Sequence, residues 1–106
     1  MDLHTLLIAL IDRLLTLKDR ISEPAQIAHI NNVKRILFTL LDQVVEQDLD
    51  KNSRDYQNAL RVLAEAKSAA ESAVQNIEQT AAAIDKAVSA AKSVDKVVQL
   101  FVRYLA

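Results

Sequence analysis

A chain of 106 residues without one glycine has few folds open to it. Tight β-hairpin turns of the I′ and II′ types need positive φ, which glycine supplies at least cost. A β-rich fold is therefore excluded in practice. Ala, Leu, Gln, Glu, Lys and Arg dominate the sequence, and these are the strongest helix formers. The reading is all-α, in a single domain over residues 1–106.

The same composition removes whole classes of function. Without glycine there is no glycine-rich phosphate loop. Without cysteine there are no disulfides, thiolate metal sites or thiol nucleophiles, and a reducing compartment suits such a chain. Thirteen Lys and Arg stand against fourteen Asp and Glu, a net charge of −1, so broad nucleic-acid binding is disfavoured. The opening residues Met1-Asp2-Leu3-His4 lack the basic region of a secretory leader. The apolar run Leu6 to Ile11 is far shorter than the roughly 20 residues that span a bilayer. The expected location is the cytoplasm.

Two marks punctuate the chain. Pro24, the only proline, lacks an amide hydrogen and ends or kinks a helix arriving from the N-terminus, with Ser22 placed to cap the next one. The stretch Asp48-Leu49-Asp50-Lys51-Asn52-Ser53 is rich in capping residues. These marks predict helices over about 2–22, 23–48 and 53–105.

Each segment carries an apolar seam. Leu3, Leu7, Leu10, Leu14, Leu17 and Ile21 step by four and three residues, and Leu6, Ile8, Ile11 and Leu15 widen the stripe to an arc of about 200°. Ile27, Ile30, Leu37, Leu41 and Val44 follow the same rhythm, widened by Val33, Ile36, Phe38, Leu40 and Val45. The third seam runs from Tyr56 and Leu60 through Ala70, Ile77 and Ala81 to Ala91, then shifts to Val94, Val98, Phe101 and Leu105. Unbroken, it makes a rod of about 75 Å, and its 3.5-residue period predicts left-handed supercoiling.

Residues 64–73 hold five alanines and no large apolar side chain. If the chain folds back at 49–53, this small patch faces Ile30, Val33, Ile36, Leu37 and Phe38, large against small. The expected fold is thus a long antiparallel, coiled-coil-like helical hairpin of three helices, with one arm broken near Pro24. A rival turns sharply at Pro24 into a three-helix bundle and leaves residues 80–105 protruding. Either arrangement leaves apolar arcs uncovered, which predicts completion as a helical bundle by oligomerisation, a dimer or higher.

Candidate chemistry is sparse. Asp48-x-Asp50-x-Asn52 resembles the opening of a calcium loop, but the positions needing glycine and a bidentate glutamate hold Ser53 and Ala59. A solvated, capping turn explains it better. Asp42 and Glu46 lie one turn apart and read as part of a polar helix face. His4 and His29, the only histidines, read as packed or edge residues rather than catalysts. Lys18, Lys34, Lys67 and Asp95 border the stripes with their charges reaching water, and Glu71 is the expected mate of Lys67.

These features predict no enzyme, no cofactor and no metal. They predict a self-associating interaction or scaffold protein that binds another protein through an apolar helix face. The expected contact residues are Leu3, Leu7, Leu10, Leu14, Leu17, Val94, Val98, Phe101 and Leu105. The alternative is a membrane-active helical protein whose arcs open towards lipid; the first helix carries three acids and three bases, so anionic lipid has no net charge to attract. Asp48→Ala should leave the far-UV spectrum and thermal midpoint indifferent to added calcium, as in the parent chain; a calcium-dependent shift lost in the variant would show that the turn is a metal loop.

Overall fold

The computed structural model describes the backbone of residues 2–105 and the side chains of residues 2–99 other than Gln47. Four helices follow one another: α1 (Leu3–Lys18), α2 (Pro24–Gln43), α3 (Arg54–Gln75) and α4 (Thr80–Leu105). Single 3-10 turns at Glu46–Asp48 and Ile77–Gln79 lie in the connections before α3 and α4. No strand occurs among the described residues.

Local chemistry sets the boundaries. Asp2 caps α1, its Oδ1 accepting the Thr5 N–H at 2.8 Å. Pro24 takes the first helical position of α2, where its missing N–H leaves nothing unsatisfied. Ser53 caps α3 through the Tyr56 N–H at 3.1 Å. Asn76 leaves the helix with extended backbone (φ −140°, ψ 98°), and its Oδ1 accepts the Glu78 N–H. The buried Thr80 hydroxyl then donates to the Ile77 carbonyl at 2.6 Å, tying the corner to the start of α4.

This corner corrects the expected third helix. The segment 53–105 is two helices, and the molecule measures 44 × 20 × 17 Å, far short of a 75 Å rod. The 4–3 rhythm runs unbroken through Val74, Ile77 and Ala81, so the seam alone hides the break. Asn76 makes it, because its side chain offers the backbone a local bond in place of the helical one.

The first two helices are likewise not one collinear arm. The chain turns at Asp19–Glu23 and α2 packs against α1. The rival arrangement had that turn right, but not a protruding 80–105, since α4 packs on both α3 and α2. The result is two helical hairpins, α1–α2 and α3–α4, laid side by side. The Arg13 side chain on α1 meets Glu71 on α3, and Asp2 and Thr5 lie with Tyr56, Gln57 and Leu60, so α1 and α3 run parallel. Ala25 and His29 lie with Ala81 and Asp85, so α2 and α4 are parallel too.

Within this bundle the leucines of the first hairpin meet the alanines of the second. Leu3, Leu7, Leu10, Leu14 and Leu17 are fully buried, as are Ala59, Leu63, Ala66, Ala70 and Ala73. Each of the second set lies 56 positions after its counterpart in the first, as Leu3 and Ala59 illustrate. Ile30, Val33, Leu37 and Leu40 on α2 and Ala87, Ala90, Val94 and Val97 on α4 are buried at the same spacing, offset by 57, and the two helices are in contact. The expected match of large against small therefore exists, but the alanines of 64–73 sit beside α1 and α4, not opposite residues 29–38.

Fully burying a leucine contributes about 1.5–3 kcal/mol, and removing one leaves a cavity that costs more. Leu10→Ala should lower unfolding free energy by about 2–5 kcal/mol. Leu10→Asp should abolish cooperative unfolding, because an unpaired carboxylate would sit in the core. A Leu10→Asp chain melting like the parent by circular dichroism would contradict this placement.

Candidate interaction surface

The structure draws most of the expected contact residues inward. Leu3, Leu7, Leu10, Leu14, Leu17, Val94 and Val98 all lie in the core of a single chain. In the single chain they are covered by the other hairpin. The side chains of Phe101 and Leu105 lie outside the described residues. The physical reason is the number of neighbours. Each helix of the bundle is flanked by two others, so an arc that a two-armed hairpin leaves wet is mostly covered.

What stays outside is a different set. Ile8 is 47% exposed, Leu15 36%, Phe38 45% and Ile36 52%. Ile77 is also exposed, at the α3–α4 corner. All but Ile77 stand at the margins of the arcs on α1 and α2.

Their positions follow from about 100° of rotation per residue. Arg13 marks the α3 side of α1, since its Nε donates to Glu71 Oε1 at 3.0 Å. Ile8 and Leu15 share one flank, turned away from Arg13 and therefore towards α2. His29 marks the α4 side of α2, where it borders Ala81, Ile84 and Asp85. Phe38, nine residues on, lies half a turn from His29 and so towards α1. Ile36 stays on the α4 side and belongs elsewhere. Ile8, Leu15 and Phe38 thus share the outer surface of the α1–α2 hairpin.

Charges surround this apolar strip. Asp12 on α1 and Asp19 at its C-terminal cap are exposed, as are Arg35 and Asp42 on α2. Lys18 and Lys34 are half-buried on the flanks between them. Only Asp12 among these six is ion-paired among the described residues, with Arg13 at 2.6 Å. The other ion pairs serve the bundle: Lys67–Glu71 at 3.7 Å, as expected, Lys86–Glu65 at 4.0 Å and Lys96–Asp55 at 3.3 Å, the last two joining α3 to α4.

The acidic and imidazole groups weighed in the sequence scatter. Asp48 and Asp50 are exposed, and Asp50 Oδ1 accepts the Asn52 N–H in a local turn. Among the described residues no three of His, Cys, Asp and Glu gather as a metal site would require. His4 and His29 are exposed, and His29 stands at the edge of α2 beside α4. Glu46 is the largest departure. Val44 leaves α2 with extended backbone, so Glu46 is not on that helix's polar face. Its Oε1 accepts the His4 N–H at 3.1 Å and its Oε2 accepts the Tyr56 hydroxyl at 2.7 Å. One carboxylate thereby joins the start of α1, the α2–α3 connection and α3.

Comparison of the chain with protein-family models, curated proteins and solved structures finds no match.

Burial, and then the bond to Glu46, push the Tyr56 hydroxyl up from 10.0 to about 12. The folded state therefore holds this proton more tightly than the unfolded one. The stability this contributes is complete below pH 10 and is lost as pH rises towards 12. Denaturant titrations across that range should show a fall in stability that Tyr56→Phe makes shallower; equal slopes in the two proteins would refute the Glu46–Tyr56 link.

Proposed function

We propose that this chain is a non-enzymatic helical module that works by associating with protein through the outer face of the α1–α2 hairpin. The observation that carries the reading is the grouping of Ile8, Leu15 and Phe38 on one surface of a bundle whose other large side chains are mostly inside. Side chains of this size left in water at one place mark a contact surface more often than scattered ones do. Two neighbouring helices with an apolar strip between them suit another helical surface. A chain without cysteine suits a reducing compartment, and we place this work in the cytoplasm.

The membrane-active alternative asks the bundle to open, since the widest apolar arcs now face one another. Among the described residues no helix is long and apolar enough to cross a membrane. The protein reading needs no such rearrangement.

Site-directed photocrosslinking separates the two. A benzophenone side chain at Phe38 should yield discrete protein adducts in cells producing the chain, whereas one at the exposed Ser68 on α3 should not. Equal labelling at both positions, or adducts to lipid alone at position 38, would overturn the assignment.

A further inference from the structure

We propose that the occupant of the α1–α2 outer face is a second copy of this chain, related by a two-fold axis that sets α1 of one copy against α2 of the other. The inference rests on the reading of that face as a protein-contact surface and adds the identity of the partner.

Charge is the first argument. The face carries Asp12, Asp19 and Asp42 against Lys18, Lys34 and Arg35, three of each sign. An anionic bilayer or a nucleic acid calls for an excess of positive charge. A balanced surface has no such preference, and it is what an isologous contact requires, because the same patch must serve as both partners. The net charge is also divided between the helices, negative on α1 (Asp12 and Asp19 against Lys18) and positive on α2 (Lys34 and Arg35 against Asp42). The outward charges of α1 are the acids Asp12 and Asp19, while the middle of α2 supplies the bases Lys34 and Arg35. Setting α1 against α2 of the second copy brings opposite signs together twice. Setting like helix on like helix would oppose net charges of the same sign.

Unspent pairing capacity is the second. Among the described residues Lys18, Asp19, Lys34, Arg35 and Asp42 form no ion pair within the chain, whereas the charges facing α3 and α4 from their neighbours do. Size is the third. A standard interface buries about 800 Å² per partner. The α1–α2 face, about 30 Å long by the rise of α2 within a molecule 20 Å across, approaches that size, with Ile8, Leu15 and Phe38 at its centre and charges at its rim, the usual anatomy of such contacts.

Sedimentation velocity of the full chain tests this. The parent should sediment with twice the 11.8 kDa chain mass at micromolar concentration. Ile8→Asp should leave only the single-chain species with helix content and melting cooperativity retained, because the position is exposed. The pair Lys34→Glu with Arg35→Glu should weaken the dimer by about tenfold or more, equivalent to about 1.4 kcal/mol. Adding Asp12→Lys and Asp19→Lys to that chain should restore it to within about threefold of the parent, equivalent to about 0.6 kcal/mol. A parent that stays at 11.8 kDa into the millimolar range overturns the proposal, as does a dimer indifferent to Ile8→Asp or one the added lysines fail to restore. If the parent is a single-chain species yet position 38 still crosslinks to a different protein, the contact surface stands and the second copy falls.

Discussion

The fold depends on a mismatch of side-chain size between its two halves. The α1–α2 hairpin is built on leucine and isoleucine, the α3–α4 hairpin largely on alanine. Neither closes a core alone. Leucine against leucine across four helices would force them apart or strain rotamers, and alanine against alanine would leave too little apolar surface to hide. Together they fill the interior. Ala66, Ala70, Ala87 and Ala90, all fully buried, let the second hairpin approach closely while Leu7, Leu10, Leu14 and Leu37 supply the volume. Surface ion pairs such as Lys96–Asp55 add little beyond holding alignment, because exposed pairs contribute only about 0–1 kcal/mol.

The periodicity that makes this packing readable also conceals where the chain bends. Helical class, the Pro24 boundary, the polar turn at 48–53 and the Lys67–Glu71 pair were all legible, because each depends on residues a few positions apart. The corner at Asn76 was not, since the heptad steps cross it without a fault. A signal was present. Asn76 followed three residues later by Gln79 has the form of a helix start, and a helix of some fifty residues stands far above the mean of about 11–12. The end of α2 hid for a related reason. Val44 and Val45 continue the apolar stripe, yet both are β-branched and cost little to leave in extended backbone, which they adopt here.

The exposed apolar strip was only half legible. Arcs of about 200° on α1 and α2 were correctly seen as wider than one neighbour covers. Which part of each arc would stay wet depended on the number and placement of the other helices, and that depended on Asn76. With a fourth helix, the leucines at the centre of each arc go inside and only the margins emerge. Ile8, Leu15 and Phe38 were therefore visible as apolar but could not be separated from Leu7, Leu14 and Leu37 by spacing. Glu46 shows the same limit. Its bonds to His4 and Tyr56 span 42 and 10 positions, beyond any local rule.

The apolar excess sits on the α1–α2 side for a reason the core itself supplies. The alanine-rich hairpin leaves one large apolar side chain outside among the described residues, Ile77 at its corner; the exposed positions on α3 are mainly Arg61, Glu65, Ser68, Glu71 and Ser72. The leucine-rich hairpin carries more volume than its small-residue partner can receive, because two helices of alanine offer only a limited depth of groove. Most of the surplus emerges on the side away from α3 and α4, at Ile8, Leu15 and Phe38, while Ile36 emerges on the α4 side. The outer strip of Ile8, Leu15 and Phe38 is thus tied to the asymmetry that closes the core, and a change that enlarges the alanine hairpin, such as leucine at Ala70, would disturb both the packing inside and the shape of the surface outside.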